Sequence, residues 1–178
     1  MEERHENEII GRVKAGHTDD YEYLVRFYQG PLFRFVGNLV GGANVEDLVQ
    51  DVFLIAFAQI QTFNPRRGTF RTWIYHIARN RALNALKKKR EQLSAETPII
   101  VDTRTPAGDL LLKEAFSRLD QALDELKFQD RVIFVLAELE GLSYAEIARV
   151  EKLPLGTVKS RLSRIKIKLR NALQGYEN

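Results

Sequence analysis

Apolar residues recur every three or four positions along most of the chain, which is the period of amphipathic helices. No stretch shows the alternation of apolar and polar residues that marks a strand. The spacing predicts helices at 45–60, 70–89, 107–125 and 129–140, a short helix from Ser143 that stops at Leu153-Pro154, a longer one after Pro154 up to Leu173, and a weaker one around Ile9 to Val13. Residues 19–40 form one helix or two broken near Gly30-Pro31. We therefore expect an all-α fold.

The stretch from Leu142 to Leu173 predicts a helix-turn-helix, which is two helices with a tight connection. Ser143 and Glu146 have the spacing of a capping box, so the first helix should begin at Ser143. Pro154 separates the two helices, because the residue before a proline disfavours helical geometry. The apolar positions of the second helix form one buried stripe: Val158, Leu162, Ile165, Leu169 and Leu173.

The second helix of this pair is strongly basic. Ser160, Ser163 and Arg164 lie opposite the buried stripe, and six Lys/Arg but no Asp/Glu occur between Leu153 and Leu173. A basic solvated face is the simple alternative, but such faces usually mix charges of both signs. Small residues surrounded by cations are typical of a recognition helix in the major groove, so we predict DNA binding here.

The predicted helix at 45–60 has two different faces. Its broad apolar face leaves a narrow stripe on the other side, formed by Asp47, Gln50, Asp51 and Leu54. Asp47 can be explained by the helix dipole, because it lies in the first turn, after a capping Asn44. An exposed leucine beside acidic groups beyond the first turn favours a protein partner over DNA.

The following loop and helix carry nine Lys/Arg and no Asp/Glu between Asn64 and Arg90. Aromatic side chains lie among these cations, a combination that suits single-stranded nucleic acid through stacking and backbone charge. A core tryptophan, Trp73, in a helix with a basic last turn explains the same residues equally well. The residues alone leave these two interpretations open.

Composition limits the remaining possibilities. The chain has 178 residues, a net charge of +3 and no cysteine, so it has no disulfide or thiol chemistry. It shows no signal peptide, no apolar run of membrane length, no phosphate-binding glycine loop and no metal-ligand spacing. We therefore expect a cytoplasmic protein that is not an enzyme and needs no cofactor or metal. Residues 91–105 lack periodicity and predict a flexible linker between domains at 1–90 and 106–178.

Three segments together resemble the sigma-70 family of bacterial RNA polymerase sigma factors, and in particular its small extracytoplasmic-function (ECF) group. EDLVQDVFL at 46–54 is similar to the core-binding helix of sigma domain 2. TFRTWIYHIARNRALNALKKKR at 69–90 is similar to the helix that melts and reads the −10 element. LSYAEIARVEKLPLGTVKSRLSRIKIKLR at 142–170 is similar to the −35 reader of domain 4. The resemblance implies two small helical domains and a transcription initiation factor.

The resemblance also implies roles for particular residues. Asp47, Gln50, Asp51 and Leu54 would contact core RNA polymerase through its β′ subunit, with further contacts to β. The −10 element would be bound by the loop and the helix after it, through Phe63, Asn64, Arg66, Arg67, Arg71, Trp73, Arg79 and Asn80. Among these, Phe63, Asn64 and Asn80 would hold a flipped base. The −35 element would be bound by Thr157, Lys159, Ser160, Arg161, Ser163 and Arg164.

The chain departs from the family pattern at the turn of the helix-turn-helix. The family usually has a glycine where Lys152 stands and a leucine where Glu151 stands. A left-handed Lys152 would cost about 1 kcal/mol. We expect no further domain after Leu173, and the resemblance then implies control by a separate anti-sigma protein.

Two other classes of function are alternatives to a transcription initiation factor. A stand-alone dimeric helix-turn-helix regulator would leave the stripe at 47–54 and the basic aromatic helix unexplained. An enzyme acting on nucleic acid would need an acid, base or metal site, and no candidate residues occur.

Overall fold

The computed structural model describes residues 2–42, 44–93, 118 and 121–173. Within these ranges all regular structure is helical and no strand occurs, which confirms the predicted all-α fold of two small domains. No helix in the described part is both long and apolar enough to cross a membrane.

The N-terminal domain consists of four helices joined by short connections. Two single 3₁₀ turns, at 18–20 and 60–62, lie between them. The four helices are α1 (Glu3–Lys14), α2 (Tyr21–Val40), α3 (Val45–Ala58) and α4 (Phe70–Leu93). Their apolar faces meet in one core, in which Leu24, Phe35, Val52, Phe70 and Ile74 are fully buried.

Helix α2 is continuous through Pro31, so the alternative of two broken helices is excluded. A proline inside a helix costs about 3 kcal/mol because it removes a hydrogen bond and crowds the preceding turn. Leu32, Phe35 and Val36 directly after it are completely buried, and this packing outweighs the local cost. Gly41 ends the helix in the left-handed conformation, at φ 70°.

The N-terminal ends of α3 and α4 differ in how they are capped. Helix α3 begins at Val45 as expected, but the predicted Asn44 cap is wrong, because Asn44 has φ 65° and its side chain makes no capping hydrogen bond. Thr69 does cap α4, since its Oγ1 accepts from the Thr72 amide at 3.2 Å. Helix α4 then continues to Leu93, three residues into the predicted linker, because Glu91 and Gln92 favour a helix and no breaker intervenes.

Helix α1 is attached to α2 by a buried polar pair. The Tyr28 hydroxyl donates a 2.5 Å hydrogen bond to Glu6 Oε1, and both side chains are buried. Burial raises the pKa of the Glu6 carboxyl above its ordinary value, although the hydrogen bond from Tyr28 partly opposes this effect. Burial likewise raises the pKa of the Tyr28 hydroxyl, which therefore stays protonated.

The C-terminal domain is described from residue 121 onward. A helical turn at 121–124 precedes the three helices, and a π-helical turn (Val135–Leu139) extends the first of them. The helices are α5 (Phe128–Phe134), α6 (Tyr144–Glu151) and α7 (Leu155–Ala172). Most of the predicted helix at 107–125 and the linker from 94 to 105 lie outside the described residues.

The predicted helix-turn-helix is confirmed in its details. Ser143 and Glu146 form the reciprocal capping box at the start of α6. Lys152 adopts the left-handed conformation in the turn, with φ 54°, at the cost given above. Val158, Leu162, Ile165 and Leu169 of α7 are buried, and Leu173 is half-buried. Leu139, an apolar residue of the predicted helix at 129–140, is exposed at the end of the π-helical turn.

The two domains pack against each other. Helix α4 of the N-terminal domain lies along α6, and α2 contacts α5 and the π-helical turn. This arrangement decides which of the predicted DNA-binding side chains are accessible.

Candidate nucleic-acid and polymerase interfaces

The outer face of α7 is open to solvent. Lys159, Ser160, Ser163 and Arg164 are exposed, as their position opposite the buried stripe predicts. Ser160 donates to the Thr157 carbonyl at 3.1 Å and Arg164 donates to the Ser160 carbonyl at 3.4 Å, so both polar groups stay on the helix surface. This face offers two small side chains between two cations, which allows a close approach to base edges in a major groove.

The flanks of α7 are less basic than the sequence indicates. Lys166 Nζ lies 2.8 Å from Glu138, and Lys168 Nζ lies 3.0 Å from Glu125. The hydrogen bond to Glu138 raises the pKa of Lys166 above its ordinary value. Acids that are distant in sequence therefore neutralise cations that look unpaired along the helix.

Arg161 differs from the other predicted −35 residues. Its Nη1 donates to Gln129 Oε1 at 2.7 Å and lies 3.5 Å from Asp130 Oδ1, so it joins α7 to α5. Thr157 is half-buried near the start of α7. A phosphate could reach Arg161 only in competition with these partners.

The predicted polymerase-binding stripe on α3 is a real surface feature. Asp47 and Gln50 are exposed, with no polar partner among the described residues, and Leu54 is 67% exposed. Asp51 is different, because its Oδ2 accepts two hydrogen bonds from Arg81 of α4. The stripe thus combines free polar groups with an apolar side chain that the fold leaves uncovered.

Phe63 does not offer a free ring in this structure. It is only 4% exposed, and its ring lies 5.5 Å from the rings of Phe70 and Trp73. Lys14 of α1 donates to the Phe63 carbonyl. Phe63 and the half-buried Trp73 therefore fix the loop to the domain core, and neither ring is free to stack on a base in this conformation.

The rest of the loop is exposed. Asn64 Oδ1 accepts from the Arg66 amide at 3.0 Å, a local turn that is typical of asparagine. Arg66 and Arg67 are exposed and have no acidic partner in the part of the chain that the structure describes. The loop therefore presents an amide and two free guanidinium groups beside the start of α4.

One face of α4 is occupied by the C-terminal domain. Arg71 and Tyr75 both donate to Glu140, one helical turn apart, and Arg79 follows with two hydrogen bonds to Glu151, at 2.8 and 3.3 Å. Asn80 contacts His76 and Arg79 at the same boundary, at 3.1 and 3.2 Å. Two of the predicted −10 residues, Arg71 and Arg79, thus contact the C-terminal domain, and Asn80 is linked to it through His76.

Sequence reasoning missed the partners of this face. No sequence pattern singles out Tyr75, His76 or Glu140, whose partners are remote in the chain. A usable signal was present at Glu151, because an acid standing at a usually apolar position predicts a buried cationic partner. The described residues contain no cluster of His, Cys, Asp or Glu that could hold a metal ion.

Comparisons with known proteins agree with this architecture. The sigma-70 region 2 family matches residues 24–92, and the sigma-70 region 4 family matches residues 116–169. The first match contains the α3 stripe and the basic helix α4, and the second contains the helix-turn-helix.

Curated relatives match over nearly the full length. The ECF RNA polymerase sigma factor SigW of Bacillus subtilis is 28% identical, over 93% of this chain and 95% of SigW. The ECF RNA polymerase sigma-E factors of Haemophilus influenzae and Escherichia coli K12 are 30% and 31% identical, over 93% of this chain in each case and 94% and 93% of the relatives.

Solved structures share the fold. The sigma factor RpoE from Bartonella quintana, in complex with the anti-sigma factor NepR, superposes with a TM-score of 0.71 at 24% identity, over 88% of this chain and 98% of RpoE. CnrH, in complex with the cytosolic domain of CnrY, gives a TM-score of 0.70 at 23% identity, over 93% and 94% of the two chains.

Proposed function

Because this chain belongs to the ECF sigma factors of the sigma-70 family, and is thus a transcription initiation factor, we propose that it binds core RNA polymerase and directs it to two-part promoters. The single observation that carries this proposal is the open face of α7, where Ser160, Ser163 and Arg164 are exposed on a capped helix-turn-helix. These residues and Lys159 read the −35 element, and Thr157 and Arg161 lie near phosphates.

The α3 stripe binds the polymerase. Asp47, Gln50 and Leu54 form its accessible part, and Asp51 adds charge beside them while paired with Arg81. An exposed leucine among acidic groups suits a partner helix with basic and apolar side chains, because the leucine gains burial and the acids gain partners. We assign this stripe to the β′ subunit, with β contacts elsewhere.

The loop after α3 and the helix α4 bind and open the −10 element. Asn64 and Asn80 supply hydrogen bonds to an extruded base, and Arg66, Arg67, Arg71 and Arg79 supply charge for the strand that carries it. Phe63 and Trp73 support the loop from beneath through their ring contacts. The work of the protein is binding and strand separation in the cytoplasm, without covalent catalysis.

A separate anti-sigma protein is the partner proposed for regulation. Phe27 and Leu139 are 45% and 52% exposed, and both line an open cleft of about 410 Å³ between the two domains. Exposed apolar side chains in a cleft favour a protein partner. RpoE, which shares this fold, was solved with an anti-sigma factor.

Run-off transcription with core RNA polymerase on a genomic promoter library tests the proposal. We expect transcripts only when core and this chain are both present, and start sites that share −10 and −35 elements. Start sites that share only one element, or a chain that fails to co-elute with core, would contradict it.

A further inference from the structure

We propose that the two domains form a closed resting state in which Glu140 and Glu151 of the C-terminal domain cover the −10-reading face of α4. The inference rests on the proposed −10 function of Arg71, Arg79 and Asn80, and it adds a regulatory state of that site. Three contacts hold the domains together: one at Glu140, one at Glu151 and one at the Val150 carbonyl.

The first contact is centred on Glu140, directly after the π-helical turn. The Tyr75 hydroxyl donates to Glu140 Oε2 at 2.7 Å, and Arg71 donates to the Glu140 backbone carbonyl. Arg34 of α2 lies 3.5 Å from Oε1 of the same carboxylate. The Glu140 side chain is only 2% exposed, so three residues of the N-terminal domain enclose one acid of the other domain.

The second contact is centred on Glu151, the last residue of α6. Arg79 holds its carboxylate with two hydrogen bonds, and the Glu151 side chain is 0% exposed. The Arg79 guanidinium also lies over the Phe128 ring of α5, 5.4 Å from its centroid. Arginine prefers this planar, two-pronged pairing with a carboxylate or a phosphate, so Glu151 occupies the group that a DNA backbone would use.

The third contact lies between these two. His76 Nδ1 lies 2.9 Å from the Val150 carbonyl, one of the last carbonyls of α6, which have no partner within the helix. Asn80 contacts the other ring nitrogen of His76. Asn80, the side chain assigned to base capture, is therefore bonded to the ring that reaches across to the other domain.

The closure is selective among the surfaces of the protein. The outer face of α7 and the stripe of Asp47, Gln50 and Leu54 remain exposed while the face of α4 is covered. The resting protein can therefore meet polymerase and present its −35 reader, but it cannot engage a single strand until the domains separate. Separation exchanges the Glu151 carboxylate on Arg79 and the Glu140 carbonyl on Arg71 for the phosphates of the strand.

Fluorescence energy transfer within the full-length chain measures the closure. The protein has no cysteine, so Gln59→Cys and Lys127→Cys, at exposed positions in different domains, provide two unique dye sites. Glu140→Gln with Glu151→Gln removes both acids, and Glu138→Gln is the matched control, because it removes one acid that pairs within the C-terminal domain. We expect high transfer for the parent and the control, and roughly a 10- to 100-fold larger open fraction for the double variant.

Binding of a dye-labelled random 20-nucleotide single strand to the free chain measures the masking. We expect the double variant to bind roughly 10- to 100-fold more tightly than the parent and the control. The single variant Glu151→Gln, with a smaller effect on both readouts, checks the result if the double variant folds poorly. Core polymerase added to the parent should lower the transfer.

Two results would overturn the inference: low transfer in the free parent, or a double variant that opens without binding the strand more tightly. Failure of the proposed −10 function gives a different result. In that case Arg79→Ala and Asn80→Ala, saturated with core polymerase, would transcribe like the parent, whatever the energy transfer of the free chain shows.

Discussion

Arg79 and Glu151 are 72 residues apart in the sequence, yet the Arg79 guanidinium donates to both carboxylate oxygens of Glu151. The pair joins the basic helix α4 to the end of α6. It shows that a cation of α4 is compensated from outside its own segment. Arg81, two residues further on, is compensated in the same way by Asp51 of α3.

Arg164→Ala should weaken binding to the preferred −35 sequence by about 1–3 kcal/mol and relax the choice of base at one position. The reason is that Arg164 is exposed on the outer face of α7 and has no acidic partner among the described residues. Electrophoretic mobility shifts of the holoenzyme with single-base variants of the promoter measure this effect. Arg161→Ala is the comparison, because it loses a contact to Gln129 and should lower the free energy of unfolding by about 1 kcal/mol. Equal weakening of every sequence by Arg164→Ala would make it a phosphate contact.

Gln50→Ala with Leu54→Ala should weaken binding of core polymerase by roughly 1–3 kcal/mol. Both side chains are exposed, so the free energy of unfolding should stay within about 0.5 kcal/mol of the parent. Fluorescence anisotropy with core enzyme and urea unfolding measure the two quantities. Gln59→Ala, exposed just after the same helix, is the control and should change neither. A loss of stability at unchanged affinity for core would make the pair structural. Asp51→Ala is less informative, because it also releases Arg81.

Asn64→Ala should slow the opening of duplex promoters, because it removes an amide proposed to hold the extruded base. The same change removes the turn in which Asn64 Oδ1 accepts from the Arg66 amide. Asn64→Ser separates these effects, since a serine hydroxyl supports such a turn without an amide. Stopped-flow fluorescence of a base analogue in the −10 region should show slow opening for both variants. A promoter already mismatched there should recover most of the rate. Opening at the parent's rate by Asn64→Ser would leave the loop with a structural role only.

Glu6→Gln should remove a pH dependence of stability. The folded state raises the pKa of Glu6, so the folded protein binds this proton more tightly than the unfolded chain does. The stabilising contribution is therefore present below the unfolded pKa and is lost as pH rises through the folded pKa, by up to about 1.4 kcal/mol per pH unit. Urea unfolding from about pH 4 to pH 8 should show that the variant gains relative to the parent as pH rises. Glu3→Gln, exposed on the same helix, is the control. A constant difference between Glu6→Gln and the parent would contradict the assignment.

The helices and their buried faces could be predicted because local rules decide them. The capping box at Ser143, the turn at Pro154 and the spacing from Val158 to Leu169 each act within a few residues. The accessible faces of α3 and α7 followed from the same periodicity. The exception was Asn44, whose predicted capping hydrogen bond is absent, and at Pro31 the sequence left one helix or two open where the structure has one.

The state of the −10 site could not be predicted, because its partners are remote in the sequence. Phe63 looked like a free aromatic in a basic loop, but contacts from Phe70, Trp73 and Lys14 place it in the core. Arg79 looked unpaired until Glu151 was brought beside it by the packing of the domains. No rule about neighbouring residues contains this information.

The ion pairs along the flanks of α7 have a consequence for how salt acts on promoter binding. Duplex DNA releases about 0.9 condensed counterions for each phosphate that a protein cation neutralises. Arg161, Lys166 and Lys168 already face acids, which leaves Lys159, Arg164 and Arg170 without an acidic partner in the described part of the chain. Even if each of these three met a phosphate, the helix would contribute a slope of about −2.7 to the logarithm of affinity against the logarithm of salt concentration, instead of about −5.4 for all six cations. Binding of α7 to DNA therefore depends less on salt, and more on contacts to the bases, than six unpaired cations would predict.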